Sequence, residues 1–233
     1  LKRKGVNMRH CIALATLLVV VLAVSCGDES EKEEETEYDI TVCAPENGPF
    51  SLTIDNDYLP FEVGMVHVLE GMEAGEEFVR FEVEVLDETQ VVNGVETRVV
   101  QKTTWDEDDA LEAIERAFFA QAPDRTVCFF GEEEDVYEND EVVETEEWHA
   151  GEDGCLAAIF MPGAPEVGMV YEMYHDDEEV ETAEITHLGE PTTTPAGTFD
   201  DTMTVLEDGE SIKKYARGIG EIYDDGIELI EYE

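Results

Sequence analysis

From Phe61 to the C-terminus, apolar and polar residues alternate in short segments separated by Gly, Asn and Asp. Residues 77–86 (EFVRFEVEVL) alternate with a period of two, the pattern of a strand with one buried face. Asn93-Gly94 within VVNGV is a strong hairpin signal, and residues 97–104 continue as strand. The same style recurs at 126–130, 142–145, 169–174, 181–188, 203–206 and 211–216. Residues 219–223 and 227–232, joined across Asp224-Asp225-Gly226, read as a closing hairpin.

One segment follows a different period. Residues 108–121 (DDALEAIERAFFAQ) hold helix formers behind an acidic start, with Leu111, Ile114, Phe118 and Phe119 near helical spacing. Local propensity makes this a helix, whereas the strands around it make it a hairpin arm, since tertiary context overrides propensity. Everything else predicts one antiparallel all-β domain, a strongly curved sheet or a barrel, over residues 45–233. A closed barrel of this kind would have a mouth suited to a small apolar ligand. Phe78, Phe81, Phe129, Phe130, Tyr171 and Tyr174 lie in strand-like runs and are expected in the core.

The N-terminal pattern is of another kind. After Met8, the expected start, come Arg9 and His10, an apolar run from Cys11 to Val24, and Ser25-Cys26-Gly27. A short basic region, an apolar stretch of about 15 residues and a small residue before the cut describe a secretory signal over residues 1–25. The run is shorter than the ~20 residues an ordinary membrane-spanning helix needs. Ala23-Val24-Ser25-Cys26 resembles the lipobox of bacterial lipoproteins, which implies that Cys26 is lipidated and becomes the mature N-terminus. Its acyl chains would be the protein's contact with a membrane, each buried methylene contributing about 0.8 kcal/mol. The following residues 27–38 (GDESEKEEETEY) are too polar to bury a core, so residues 26–44 read as a solvated tether. An envelope location follows, at the outer membrane or cell surface in a Gram-negative source.

Charge narrows the partners. Residues 1–25 hold four of the 13 Lys+Arg and none of the 60 Asp+Glu, which leaves 9 basic against 60 acidic residues and a formal charge of −51 beyond the signal. Nucleic acid and anionic lipid head groups need a positive surface, so both are excluded as partners; cations, basic proteins or basic peptides fit. The acids are spread along the chain, as in a surface adapted to a salty medium.

With Cys11 in the signal and Cys26 assigned to lipid, Cys43, Cys128 and Cys155 remain. An exported protein can form a disulfide, and an odd count leaves one thiol over. Cys128 and Cys155 lie within the predicted domain and Cys43 at its edge, so the expected bridge is Cys128–Cys155.

Several blocks resemble a family of bacterial proteins related to DUF3108-like domains, many of them lipoproteins. Residues 55–64 (DNDYLPFEVG) are similar to that family's opening, 86–100 (LDETQVVNGVETRVV) to its second block, and 119–132 (FAQAPDRTVCFFGE) to a third. Residues 148–154, Met161-Pro162, 195–199 (PAGTF) and 215–222 (YARGIGEI) complete the pattern. The resemblance implies a β-rich fold from about Asp55 onward and a strand over 111–121. It implies no chemistry.

Motifs for catalysis are missing from the sequence. Ser51 and Ser211 stand outside any GxSxG, and no HExxH or CxxC occurs. His149 with Glu146, Glu147 and Glu152, and His175 with Asp176 and Asp177, are candidates for an N/O metal site. The runs 106–109 (DEDD), 132–135 (EEED) and 176–179 (DDEE) are candidates for calcium, although none has the DxDxDG spacing. Asp55-Asn56-Asp57 begins that spacing without the glycine. The expectation is a non-enzymatic, ligand- or partner-binding envelope protein with no cofactor; a calcium-binding module and an exported metal-dependent hydrolase are the rivals.

Overall fold

A computed structural model describes residues 36–75, 77–175 and 180–233. The signal peptide, Cys26 and most of the predicted tether lie outside the described residues. Sixteen strands follow in order: β1 (Thr36–Tyr38), β2 (Ile54–Asp55), β3 (Pro60–Phe61), β4 (Val66–Glu73), β5 (Glu77–Val92), β6 (Val95–Trp105), β7 (Leu111–Gln121) and β8 (Val127–Glu138). Then come β9 (Glu141–His149), β10 (Ala158–Met161), β11 (Met169–His175), β12 (Val180–Thr194), β13 (Gly197–Glu207), β14 (Ser211–Ala216), β15 (Gly220–Asp224) and β16 (Ile227–Tyr232). Two short 3-10 turns, Ile40–Cys43 and Pro45–Asn47, lie between β1 and β2.

Fourteen strands form one sheet in the order β1-β11-β12-β13-β14-β15-β16-β4-β5-β6-β7-β8-β10, with β9 also on β8. Strands β2 and β3 make a separate small ladder. All pairs are antiparallel except β1 on β11. The ladder does not close into a barrel: β10 and β1 end the path, and the N–H of Leu156 to the carbonyl of His175, at 2.9 Å, ties the β10 approach to the end of β11.

The alternation read from the sequence becomes these strands. Asn93 and Gly94, both at positive φ, make the β5–β6 turn, and Asp225 and Gly226 make the β15–β16 turn. A helix over 108–121 is ruled out, because β7 is laddered to β6 on one side and β8 on the other. The reason is burial on two faces. Phe118 stacks on His149 while Phe119 packs among Phe61, Phe129 and Phe160. A strand sends successive side chains to opposite sheet faces, whereas a helix would bury one stripe.

The main core contains Val85, Val99, Val100 and Ala117 from β5–β7 together with Tyr171, Ile185, Met203, Val205 and Tyr215 from β11–β14. Two distant stretches of the sheet therefore share one interior. A smaller cluster, Leu69, Val79, Phe81, Ile222, Ile227 and Leu229, continues it.

The expected Cys128–Cys155 bridge is corrected to Cys43–Cys128. The sequence placed Cys43 in a solvated tether, but the 3-10 turn folds it fully into the core, opposite β8. Cys155 is buried instead beside Tyr174, with 3.8 Å between sulfur and hydroxyl oxygen. The tether boundary at residue 44 moves for the same reason. Thr36–Tyr38 already pairs with β11, and the Tyr38 hydroxyl donates to Asp124 at 2.5 Å.

Candidate functional site

Register places charged side chains on the inner face of the sheet. Directly paired residues in an antiparallel ladder share a face. Val83, Lys102, Glu115, Glu134 and Glu146 are successive partners across β5–β9, so they form one row. The neighbouring row is Val85, Val100, Ala117, Glu132 and Trp148. Val85, Val100 and Ala117 are core residues, and Lys102 on this face lies within electrostatic range of Lys213, Glu221 and Asp224, so the face looks toward the other stretch of sheet. Gly131, at φ +140, lets β9 lie close: a Cβ there would meet the Trp148 carbonyl at 2.3 Å. Trp148 is thereby held as the direct ladder partner of Glu132, whose charged form its indole favours.

A matching row comes from the other stretch of sheet. Val205, Lys213 and Asp224 are successive partners across β13–β15. The Lys213 ammonium lies 3.4 Å from Glu207 and 3.8 Å from Asp224. Glu221 follows on β15. Lys102 sits over the ring of Phe81, its nitrogen 4.7 Å from the centroid, and feels Asp224, Lys213 and Glu221 as well as Glu115. The two rows therefore face each other within electrostatic range.

Lys102, Lys213 and Glu221 lie deep in the domain, where desolvation is the largest influence on their charge. Even so, 21% of the Lys213 side chain, 18% of Glu207 and 19% of Asp224 remain accessible to a water-sized sphere. Lys102 and Glu221 are likewise only half-buried. Side-chain surface that stays accessible at this depth lines a hollow between the two rows. Beside it, and shut off from it, Oε1 of Glu207 and Oε1 of Glu221 have no hydrogen-bond partner.

Enclosure controls the protonation of these groups. Burial pushes Glu132 up to about 8; Glu115 and Glu134 add to the shift, while Trp148 and Lys102 oppose it. Burial also pushes Glu221 up to about 8, opposed by Lys213 and Lys102 and assisted by Asp224 and Glu207. Glu134 and Glu207 are raised by burial too. Burial alone would lower the lysines, but the surrounding carboxylates overcome it and hold both above their ordinary value.

The residues singled out in the sequence are elsewhere, with one exception. Glu132 and Glu134 of the 132–135 run point inward; Glu133 on the other face lies 3.4 Å from Nε2 of His149. His149 also approaches Glu152 at 3.9 Å, and Nδ1 of His175 is 2.6 Å from Glu172. Among the described residues, no group of three or more His, Cys, Asp or Glu side chains is set to hold a metal ion. Asp106 accepts from the N–H groups of Asp108 and Ala110, both at 2.9 Å, and so shapes a turn. Residues 176–179 lie outside the described residues. His67, unremarked in the sequence, is buried in the interior, where desolvation lowers it to about 4. Lys102, Glu115, Lys213 and Glu221 were also missed. Their only signal was a charge at an inward position of an alternating strand.

The Asp55-Asn56-Asp57 motif is a structural clasp. Asn56 is 2% exposed and makes four bonds: its amide donates to the carbonyls of Arg125 (2.9 Å) and Pro162 (3.0 Å), and its oxygen accepts from the N–H groups of Tyr58 (2.9 Å) and Leu59 (3.2 Å). Asp57 accepts from Arg125 at 2.7 Å and also from Arg217. Arg217 donates to Asp201 at 2.6 Å and lies over the Tyr58 ring, 4.6 Å from its centroid. These guanidinium groups hold Asp57 and Asp201 below the usual carboxylate range.

No protein-family model matches the chain, and no curated protein is similar to it. Two crystal structures overlap it. One, named as an exported protein with a YmcC-like fold from Bacteroides fragilis NCTC 9343, has a TM-score of 0.35 at 12% identity, covering 76% of this chain and 99% of that one. The other, named as a lipoprotein from Parabacteroides distasonis ATCC 8503, has a TM-score of 0.32 at 13% identity, with the same coverage.

Proposed function

We propose that this chain is an exported, lipid-anchored envelope protein, akin to the DUF3108-like lipoproteins, whose curved β domain binds a small polar ligand in its charged hollow. The observation that carries the binding role is the pair of facing charged rows, set deep in the domain with part of the Lys213, Glu207 and Asp224 side chains still accessible. Burying charge without full pairing costs several kcal/mol per ion, so a fold that retains unfilled carboxylate oxygens inside gives up stability there. Functional sites are where such a cost is retained. The apolar barrel mouth expected from the sequence gives way to a polar interior. The lipid anchor rests on Ala23-Val24-Ser25-Cys26 and its apolar run. No residue is assigned a catalytic role; Ser51 serves a turn, donating to the Thr53 carbonyl at 3.0 Å.

Two measurements test the two halves of this reading. Cys26→Ser should abolish incorporation of labelled palmitate and leave an unprocessed precursor; unchanged labelling and processing would refute the anchor. Native mass spectrometry of protein purified from its own envelope should show a small molecule bound one to one and lost on denaturation. Protein that carries no adduct and gains none from an envelope extract would sink the binding role.

A further inference from the structure

The sheet ends in an open edge at β9. This strand of nine residues is laddered to β8 on one side and, among the described residues, to no strand on the other. The Ala150 N–H donates to the Phe130 carbonyl at 2.8 Å, which sets the phase of the hydrogen bonds. Trp148 and Glu146 share that phase and turn their backbone groups to β8, so Thr145 and Glu147 turn theirs outward. Both residues are exposed. Outward N–H and C=O groups on a strand of this length are a template for one more strand.

Register says what kind of strand fits. Glu138–Glu141, Glu134–Glu146 and Glu133–Glu147 are direct cross-strand pairs, and like charges so placed repel. The row Lys102, Glu115, Glu134, Glu146 has its cation at the β6 end only. A register shift in the β8–β9 ladder keeps Glu141, Glu144 and Glu146 on one face of β9, because their partners Glu138, Val136 and Glu134 alternate along β8. The other face carries Val142, Thr145 and Glu147, opposite Tyr137, Asp135 and Glu133. An added strand would therefore meet carboxylates at every second position and a mixed surface between them. A second copy of β9 would set glutamate against glutamate, and residues 27–38 of this chain are themselves acidic. Both are repelled, whereas a basic strand would place a cation at the open end of the row.

We propose that β9 is the docking edge for an extended basic segment of a partner protein, which adds to the sheet as a strand with lysine or arginine at every second position. Backbone bonds to Thr145 and Glu147 hold the segment, and its cations lie along Glu141, Glu144 and Glu146. The acidic edge then has two effects at once: it keeps other copies of this chain away and selects a partner of opposite charge. This role is separate from that of the hollow and stands if the hollow binds nothing.

The test is a titration of the full mature protein, held in a non-ionic detergent, with a blocked peptide of about nine residues alternating lysine and valine. About 0.15 M sodium chloride limits the reach of surface charges to ~8 Å. Saturable one-to-one binding is expected, with slowed amide hydrogen exchange at Thr145 and Glu147. A peptide of the same charge with prolines in place of valines lacks the backbone donors and should bind at least ~10-fold more weakly. A peptide alternating glutamate and valine should not bind. The double variant Glu141→Gln/Glu146→Gln should weaken binding at least ~3-fold, whereas Glu184→Gln/Glu210→Gln, which removes the same charge at exposed positions on β12 and beyond β13, should not. Equal binding by the proline peptide, or equal loss in the two double variants, would reduce the effect to diffuse attraction by the acidic exterior and overturn the docking edge. Absent binding, or protection confined to other strands, would overturn it as well. The proline comparison uses the unaltered protein, so a folding failure cannot pass as lost affinity.

Discussion

Asn56 shows how a residue in a suggestive motif can be spent wholly on structure. Its side chain uses both donors and both lone pairs within the protein, on four different residues from three parts of the chain. Nothing is left over for a ligand. Asn56→Asp keeps the shape but removes two donors and turns a carboxylate toward two carbonyl oxygens. Each buried group left unsatisfied costs about 1–3 kcal/mol. We therefore expect Asn56→Asp to destabilise the domain by about 2–4 kcal/mol in urea titration, whereas Asp55→Asn, at an exposed position, should cost under about 1 kcal/mol. Equal effects at the two positions would contradict the clasp. At this scale the sequence identified the motif and not its use. DxD reads alike whether the aspartates meet a cation or a guanidinium, and Arg125 and Arg217 arrive from 68 and 160 residues away.

Among the elements, strands with one polar and one apolar face were legible, since a period of two needs no knowledge of partners. β5 and the β15–β16 hairpin lie where alternation and turn residues put them. The position of Cys43 was not legible, because residues 27–38 are polar enough to mask the short apolar stretch behind them. That stretch, Ile40–Cys43, is pinned to β8 across a sequence separation of 85 residues. A loop of this size gives a cross-link worth about 2–5 kcal/mol, largely through the unfolded chain. Reduction, or Cys43→Ser, should lower stability by that amount and slow migration on a non-reducing gel. Cys155→Ser should leave the non-reducing migration unchanged. If Cys155→Ser instead abolished the cross-link, the Cys43–Cys128 pairing would fall. The free side of β9 carries a different kind of information. Glu141, Glu144 and Glu147 are exposed there beside Val142 and Val143, a charged guard on a strand whose only ladder partner among the described residues is β8.

For the whole molecule, composition announced a strongly acidic exterior, but it gave no sign that acid was also stored inside. An inward glutamate differs from a surface one only by its register, and register is set by pairing between segments far apart in sequence. The stored acid makes stability depend on pH in a defined direction. Glu132 and Glu221 titrate at about 8 in the fold and near 4.5 when unfolded. Between those values the folded protein holds protons that the unfolded chain has released. Stability therefore falls as pH rises from about 4.5 to about 8, and levels off above that. Asp57 and Asp201 work the other way: their lowered values add stability above the ordinary carboxylate range that is lost as pH falls through it. The two trends together put the stability maximum on the acidic side of neutrality, near pH 5. Thermal unfolding followed from pH 3 to pH 9 should show that maximum. Glu132→Gln and Glu221→Gln should each raise the melting temperature at pH 8.5 and flatten the alkaline slope, because an uncharged amide pays no ionisation penalty. Self-repulsion of the surface charge also grows with pH over the lower part of this range, and salt separates the two causes. Added sodium chloride screens the exterior and leaves the enclosed pair largely unscreened. An alkaline slope that survives ~1 M salt in the parent and disappears in the double variant locates the penalty in the hollow. A slope abolished by salt alone would place it on the surface.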